Sequence, residues 1–151
     1  MSLAVTSTLN VKSPAFSTNE YIPAKYTCDG ANINPSLTIE NIPKNTVSLA
    51  LVMEDPDAPY GTFDHWIMWN IPVTNTIEED SAPGVQGKNS ENKHAYSGPC
   101  PPSGVHHYHF RLFALNCKLN LPNGTDKKML LKAMDNHVLA HGELVGLYKG
   151  K

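Results

Sequence analysis

The stretch GPCPPSGVHHYHFRLFALN, residues 98–116, decides the fold. Its first half holds three prolines within four positions, Pro99, Pro101 and Pro102. Proline fixes φ and has no N–H to donate, so this half is a stiff loop, neither helix nor inner strand. The second half, Tyr108 to Asn116, reads as a strand with alternating faces. His106, Tyr108, Phe110, Leu112 and Ala114 share one side, and His107, His109 and Arg111 take the other. Two polar residues, His106 and Tyr108, thus open the side that builds core.

Two more apolar runs behave in the same way. Val47 to Met53 is short and unbroken, as expected of a strand buried on both faces. It ends in Glu54-Asp55-Pro56-Asp57-Ala58-Pro59, where the prolines stop any ladder. Asp55 has the parity of Leu49, Leu51 and Met53. His65 to Ile71 is rich in tryptophan and isoleucine, which favours a strand, and Pro72 ends it. Strict alternation groups His65 with Ile67, Trp69 and Ile71. One helix is expected, from Asp126 to Ala140. Its stripe is Leu130, Ala133, Met134, His137 and Val138, with Gly142 as its C-terminal cap and a closing strand from Glu143 to Tyr148.

These elements predict one mostly β, largely antiparallel domain over residues 1–151 with helical decoration. The 12 prolines and 10 glycines, spread along the chain, argue against an all-helical alternative. A net charge of −2 gives no bulk pull toward nucleic acid or anionic membrane. No apolar run reaches the ~20 residues of a spanning helix. Met1 to Asn10 shows no basic-then-apolar leader, so cytoplasmic residence is expected. In that compartment Cys28, Cys100 and Cys117 are expected as three thiols, although two of them could pair.

Polar residues at strand ends, on core-building sides, are candidates for a site. Asp55, His65, His106 and Tyr108 fit that description. His65 and His106 can donate hydrogen bonds, as can the Tyr108 phenol, but with a carboxylate among them the set is an odd mixture for an anion. Asp55 opposes an anion, which leaves two solutions. It pairs with an imidazole, or it accepts a proton from monohydrogen phosphate or an ammonium from a zwitterion. The alternative is a hydrolase or metal enzyme. It would use a Cys100–histidine nucleophile, or zinc on Asp55, His65 and His106. No G-x-S-x-G elbow is present.

The motifs SPAF (Ser13–Phe16), IPAKYTCDG (Ile22–Gly30), DPDAP (Asp55–Pro59), HWIMWNIP (His65–Pro72), GPCPPSG (Gly98–Gly104), HHYHFRLFAL (His106–Leu115) and GELVGLY (Gly142–Tyr148) fall in one order. In them the chain resembles the phosphatidylethanolamine-binding protein family, in its bacterial and archaeal Raf-kinase-inhibitor-like branch. The resemblance implies a large antiparallel sheet, a smaller sheet packed on it, and peripheral helices. It implies a non-enzymatic binding protein, without metal or cofactor, whose pocket takes phosphate-like anions or phosphoethanolamine-type head groups. The family's pocket residues fall on Asp55, His65, His106 and Tyr108, with Gly98, Pro101 and Pro102 as the wall and Phe63 as the aromatic before the first histidine. His107 stands where the family commonly has arginine. A cis peptide at Ala58–Pro59 is implied as well. The implied partners are the anion and a protein of the kinase or protease type, inhibited by binding, and a homodimer is left open.

Overall fold

The computed structural model describes residues 7–150. The strands are β1 (Ser7–Thr8), β2 (Asn10–Lys12), β3 (Leu37–Glu40), β4 (Ser48–Asp55), β5 (Phe63–Ile71), β6 (Thr76–Ile77), β7 (Val85–Gln86), β8 (Val105–Leu115) and β9 (Val138–Lys149). A 3-10 turn spans Ala24–Tyr26, and the one α-helix among the described residues, α1, spans Lys127–Met134. Six strands form the large sheet in the order β1-β9-β8-β4-β5-β7, and β2-β3-β6 form a smaller one. All pairings in the large sheet are antiparallel except that of β1 with β9.

The alternation read from β8 sets the layers. Its even residues Tyr108, Phe110, Leu112 and Ala114 pack with Leu49, Leu51 and Met53 of β4 against Val11, Leu37, Ile39 and Ile77 of the small sheet. Odd residues Phe113 and Leu115 join Ala50, Val52, Ile67 and Trp69 against Leu130 and Met134 of α1. Both faces of the large sheet are therefore covered, which explains why β4 is apolar without a break from Leu49 to Met53. Burial of that apolar area is the main stabilising contribution.

Alternation fails in β5, with consequences for the site. Leu49 pairs with Ile71 and Leu51 with Met68, so β5 carries one residue more than β4 between these pairs. Asn70 sits in that gap with φ 52°, and its amide bonds both ways to the Leu119 backbone at 2.8 Å. A second irregularity follows, because Met53 pairs with Trp66 but Glu54 pairs with Asp64. His65 is the extra residue there. Each such bulge reverses the inside–outside parity of the strand. Hence Ile71 joins the core layer of Trp66 and Met68, and His65 turns to the side of Asp55. The expected grouping of His65 with Ile67, Trp69 and Ile71 does not hold.

Three other expectations are corrected. The helix starts as read, with the Asp126 side chain accepting from the Met129 N–H at 3.0 Å. It ends at Met134, and Val138 and Ala140 belong to β9. Sheet pairing with β8 outcompetes a further helical turn because it extends a ladder of eleven register pairs. Gly142 is then not a cap. It lies in β9, where a Cβ would come within 2.1 Å of the Leu9 carbonyl oxygen. Second, Cys28 and Cys100 form a disulfide and only Cys117 is free, so three thiols are not present. Third, no cis peptide occurs among the described residues, and Ala58–Pro59 is trans. The leader reading of Met1 to Asn10 rests partly on residues outside those described. Among the described residues, no helix is long and apolar enough to cross a membrane.

Candidate functional site

The antiparallel register brings the strand ends together. Asp55, the last residue of β4, pairs with Phe63 at the start of β5. Its neighbour Glu54 pairs with His109 near the start of β8. The β4–β5 loop and the Pro-rich stretch before β8 close over these ends. A cavity of about 560 Å³ results, with Asp55, Phe63, His65, Gly98, Pro101, Pro102, His106 and Tyr108 all in its lining. Ala58 to Thr62, Ser90, Glu91 and Cys100 complete it.

Asp55 is only 3% exposed, yet both of its oxygens are occupied. Oδ1 accepts from the Asp57 N–H at 2.8 Å, forming the turn that ends β4. Oδ2 accepts from His106 Nδ1 at 2.6 Å, and both side chains are almost wholly buried. Of the two solutions left open for Asp55, pairing with an imidazole is the one found. His106 has its Nδ1 committed to this carboxylate, so Nε2 is the nitrogen left for a ligand.

His65 is held by a different group. Its Nδ1 lies 2.7 Å from the Ser97 carbonyl oxygen. A carbonyl only accepts, so Nδ1 carries the proton. Burial pushes the His65 imidazole below its ordinary pKa, and the nearby charges of Asp55, Glu91 and Asp64 only partly offset this. The ring packs 4.7 Å from Phe63 and edge-on to Tyr108 at 5.3 Å, which fixes its plane. Tyr108 is fully buried, and its hydroxyl lies close to the Cys100 backbone and the Asp55 carboxylate without reaching good hydrogen-bond geometry to either. Burial, then the Asp55 charge, drives its pKa well above the phenolic range, so it keeps its proton.

Several contributors escaped the sequence reading. Asn89, 3% exposed, donates to the carbonyls of His65 and Ala95 and to Ser97 Oγ at 3.0–3.2 Å. Its Oδ1 accepts from the N–H groups of Glu91 and Lys93. One amide thus ties the segment 89–97 to β5 and presents the Ser97 carbonyl to His65. Nothing in the sequence separates Asn89 from Asn92, the other asparagine of that loop. Asp57 is the second. Its Oδ2 accepts from both the backbone N–H and Nδ1 of His107, at 2.9 and 2.7 Å, fastening the β4–β5 loop to β8. The His107 bond holds the Asp57 carboxyl below its usual range. The third is the Cys28–Cys100 disulfide, which with the Cys28 N–H to Pro99 O bond (3.1 Å) anchors the Pro-rich wall. At Gly98 a Cβ would meet the Tyr26 carbonyl oxygen at 2.3 Å, so only glycine allows this docking.

The same bonds bear on the enzyme alternative. Cys100 has no thiol to serve as nucleophile. Asp55 is spent on His106, and among the described residues no group of three or more His, Cys, Asp or Glu is arranged to hold a metal.

Residues 12–149 match the phosphatidylethanolamine-binding protein family. The chain belongs to that family. The UPF0098 protein of Pyrococcus horikoshii is 50% identical over 150 residues, covering 92% of this chain and 76% of the relative. That of Methanothermobacter thermautotrophicus is 45% identical, covering 93% and 99%. A crystal structure described as a phosphatidylethanolamine-binding protein homolog from Chlamydia trachomatis superposes with a TM-score of 0.92 at 37% identity, over 97% of this chain and all of that one. E. coli YbcL, described as a member of the mammalian family, gives 0.87 at 28% identity over 96% of this chain and all of its own. The two-sheet, mostly β fold expected of the phosphatidylethanolamine-binding protein family is the fold found.

Proposed function

We propose that this family member is a binding protein whose cavity takes a small phosphate-like anion, free or as the head group of a phosphate monoester. The carrying observation is the buried Asp55–His106 pair. A carboxylate fixes Nδ1, so the ring can meet a ligand only through Nε2, as half of a dipole whose positive end faces the cavity. Tyr108 lines the same cavity, with its hydroxyl buried beside Asp55. A charge-assisted hydrogen bond to an oxyanion contributes about 1.5–3 kcal/mol net. Glu91 lines the cavity as well, and its carboxylate suits an ammonium substituent on the phosphate. The test is calorimetric titration with phosphoethanolamine. Saturable binding is expected in the parent and should be lost in His106→Ala. Equal binding by both proteins rules the proposal out.

A further inference from the structure

The hydrogen bonds that pin the two histidines are of different kinds, and the difference selects among anions. His106 is backed by a carboxylate, which accommodates a ring protonated at both nitrogens, so its Nε2 can donate. His65 is backed by a neutral carbonyl, so its Nδ1 bears the single proton and its Nε2 presents a lone pair. The groups facing His65 from the packed elements are Asp55 of β4, Asp64 of β5, Tyr108 of β8 and Glu91 of the 89–97 segment. None is a cation. The burial of the ring lowers its proton affinity more than the three carboxylates raise it.

We infer that the cavity is built for an oxyanion that carries a proton of its own, because it combines His106 Nε2 as a donor with His65 Nε2 as an acceptor. Monohydrogen phosphate monoesters, R–O–PO3H⁻, meet this pattern. One oxygen accepts from His106, and the P–OH donates to His65. A sulfate ester has the same shape and the same single charge but no O–H. It would set an oxygen lone pair against the His65 lone pair and leave a buried acceptor unpaired, the costly kind of mismatch. The inference rests on the anion reading above and goes beyond it by assigning opposite hydrogen-bond roles to two residues of one type.

Methyl phosphate and methyl sulfate are the probes, because at pH 5.5 most of the former is a monoanion, its second pKa being about 6. The two ligands then differ by one hydroxyl proton. Titration of the parent protein at pH 5.5 should give roughly tenfold or greater preference for methyl phosphate, and the preference should shrink as pH rises past 7 and the ester loses its proton. In His65→Gln, whose amide can turn either its oxygen or its N–H toward the ligand, the preference should fall toward unity. Nitrogen NMR of the ligand-free parent at pH 7 should show His65 neutral and protonated at Nδ1. Affinities within twofold of each other in the parent would overturn this inference while leaving the anion pocket standing. A His65 ring that is cationic, or protonated at Nε2, overturns it without reference to any ligand. Failure of both probes to bind removes the anion proposal and this inference together.

Discussion

Replacing Asp55 by asparagine probes the centre of the cavity with a change of one atom. In the parent, both Asp55 oxygens accept, from the Asp57 N–H at 2.8 Å and from His106 Nδ1 at 2.6 Å. An asparagine has one acceptor oxygen for these two donors. If that oxygen keeps the Asp57 turn, its NH2 group faces His106 and forces the ring into the tautomer protonated at Nε2. The ring can still donate to a ligand, but as a neutral group. The bond that remains after the charges are gone is an ordinary one. A neutral hydrogen bond contributes about 0.5–1.5 kcal/mol where a charged one contributes 1.5–3, so the anion loses about 1–2 kcal/mol. That corresponds to binding weakened roughly fivefold to thirtyfold. Calorimetric titration of parent and Asp55→Asn with methyl phosphate at pH 5.5 measures it. A carboxylate whose only effect is to repel anions predicts the opposite sign. Tighter binding by the asparagine variant would refute the claim that Asp55 acts through His106.

The remaining predictions concern the frame around the site. Denatured, unreduced protein should titrate one thiol, that of Cys117, and three after reduction. The bridge closes a span of 72 residues, so Cys28→Ser with Cys100→Ser should lower the unfolding free energy by roughly 2–5 kcal/mol in urea titrations, and an unchanged midpoint would contradict the bridge. His65 gives a pH signature. Its folded pKa lies below the ordinary value near 6.5, so the unfolded chain binds the proton more readily. Its contribution to stability is complete above about pH 6.5 and is lost as pH falls toward the depressed folded value. Urea unfolding at pH 7.5 and pH 5 should show a smaller difference for His65→Gln than for the parent, and equal differences would count against a neutral buried ring.

Much of the layout was legible in the chain. Apolar runs stopped or preceded by prolines located β4, β5 and β8, because proline cannot enter a ladder and unbroken Val, Leu and Ile cannot face water. The position of polar residues at the ends of those runs named Asp55, His65, His106 and Tyr108, and the antiparallel order that such strands adopt placed their ends together. What sequence periodicity could not supply was the direction of His65. Parity assumes an unbroken ladder, and β5 carries two extra residues, at Asn70 and His65, which only the partner strand reveals. Without the second bulge His65 would turn toward the α1 layer with Ile67 and Trp69. The roles of the two histidines were equally hidden. An imidazole donates or accepts according to what holds its other nitrogen, and those holders, Asp55 and the Ser97 carbonyl, lie 51 and 32 residues away. The Cys28–Cys100 pairing had the same character, since three cysteines admit several bridges and a span of 72 residues is closed only by the docking of two loops. Local sequence determined which residues end strands and which are buried. Long-range register decided which way they point and what chemistry each can perform, because hydrogen-bond partners are fixed by neighbours in space.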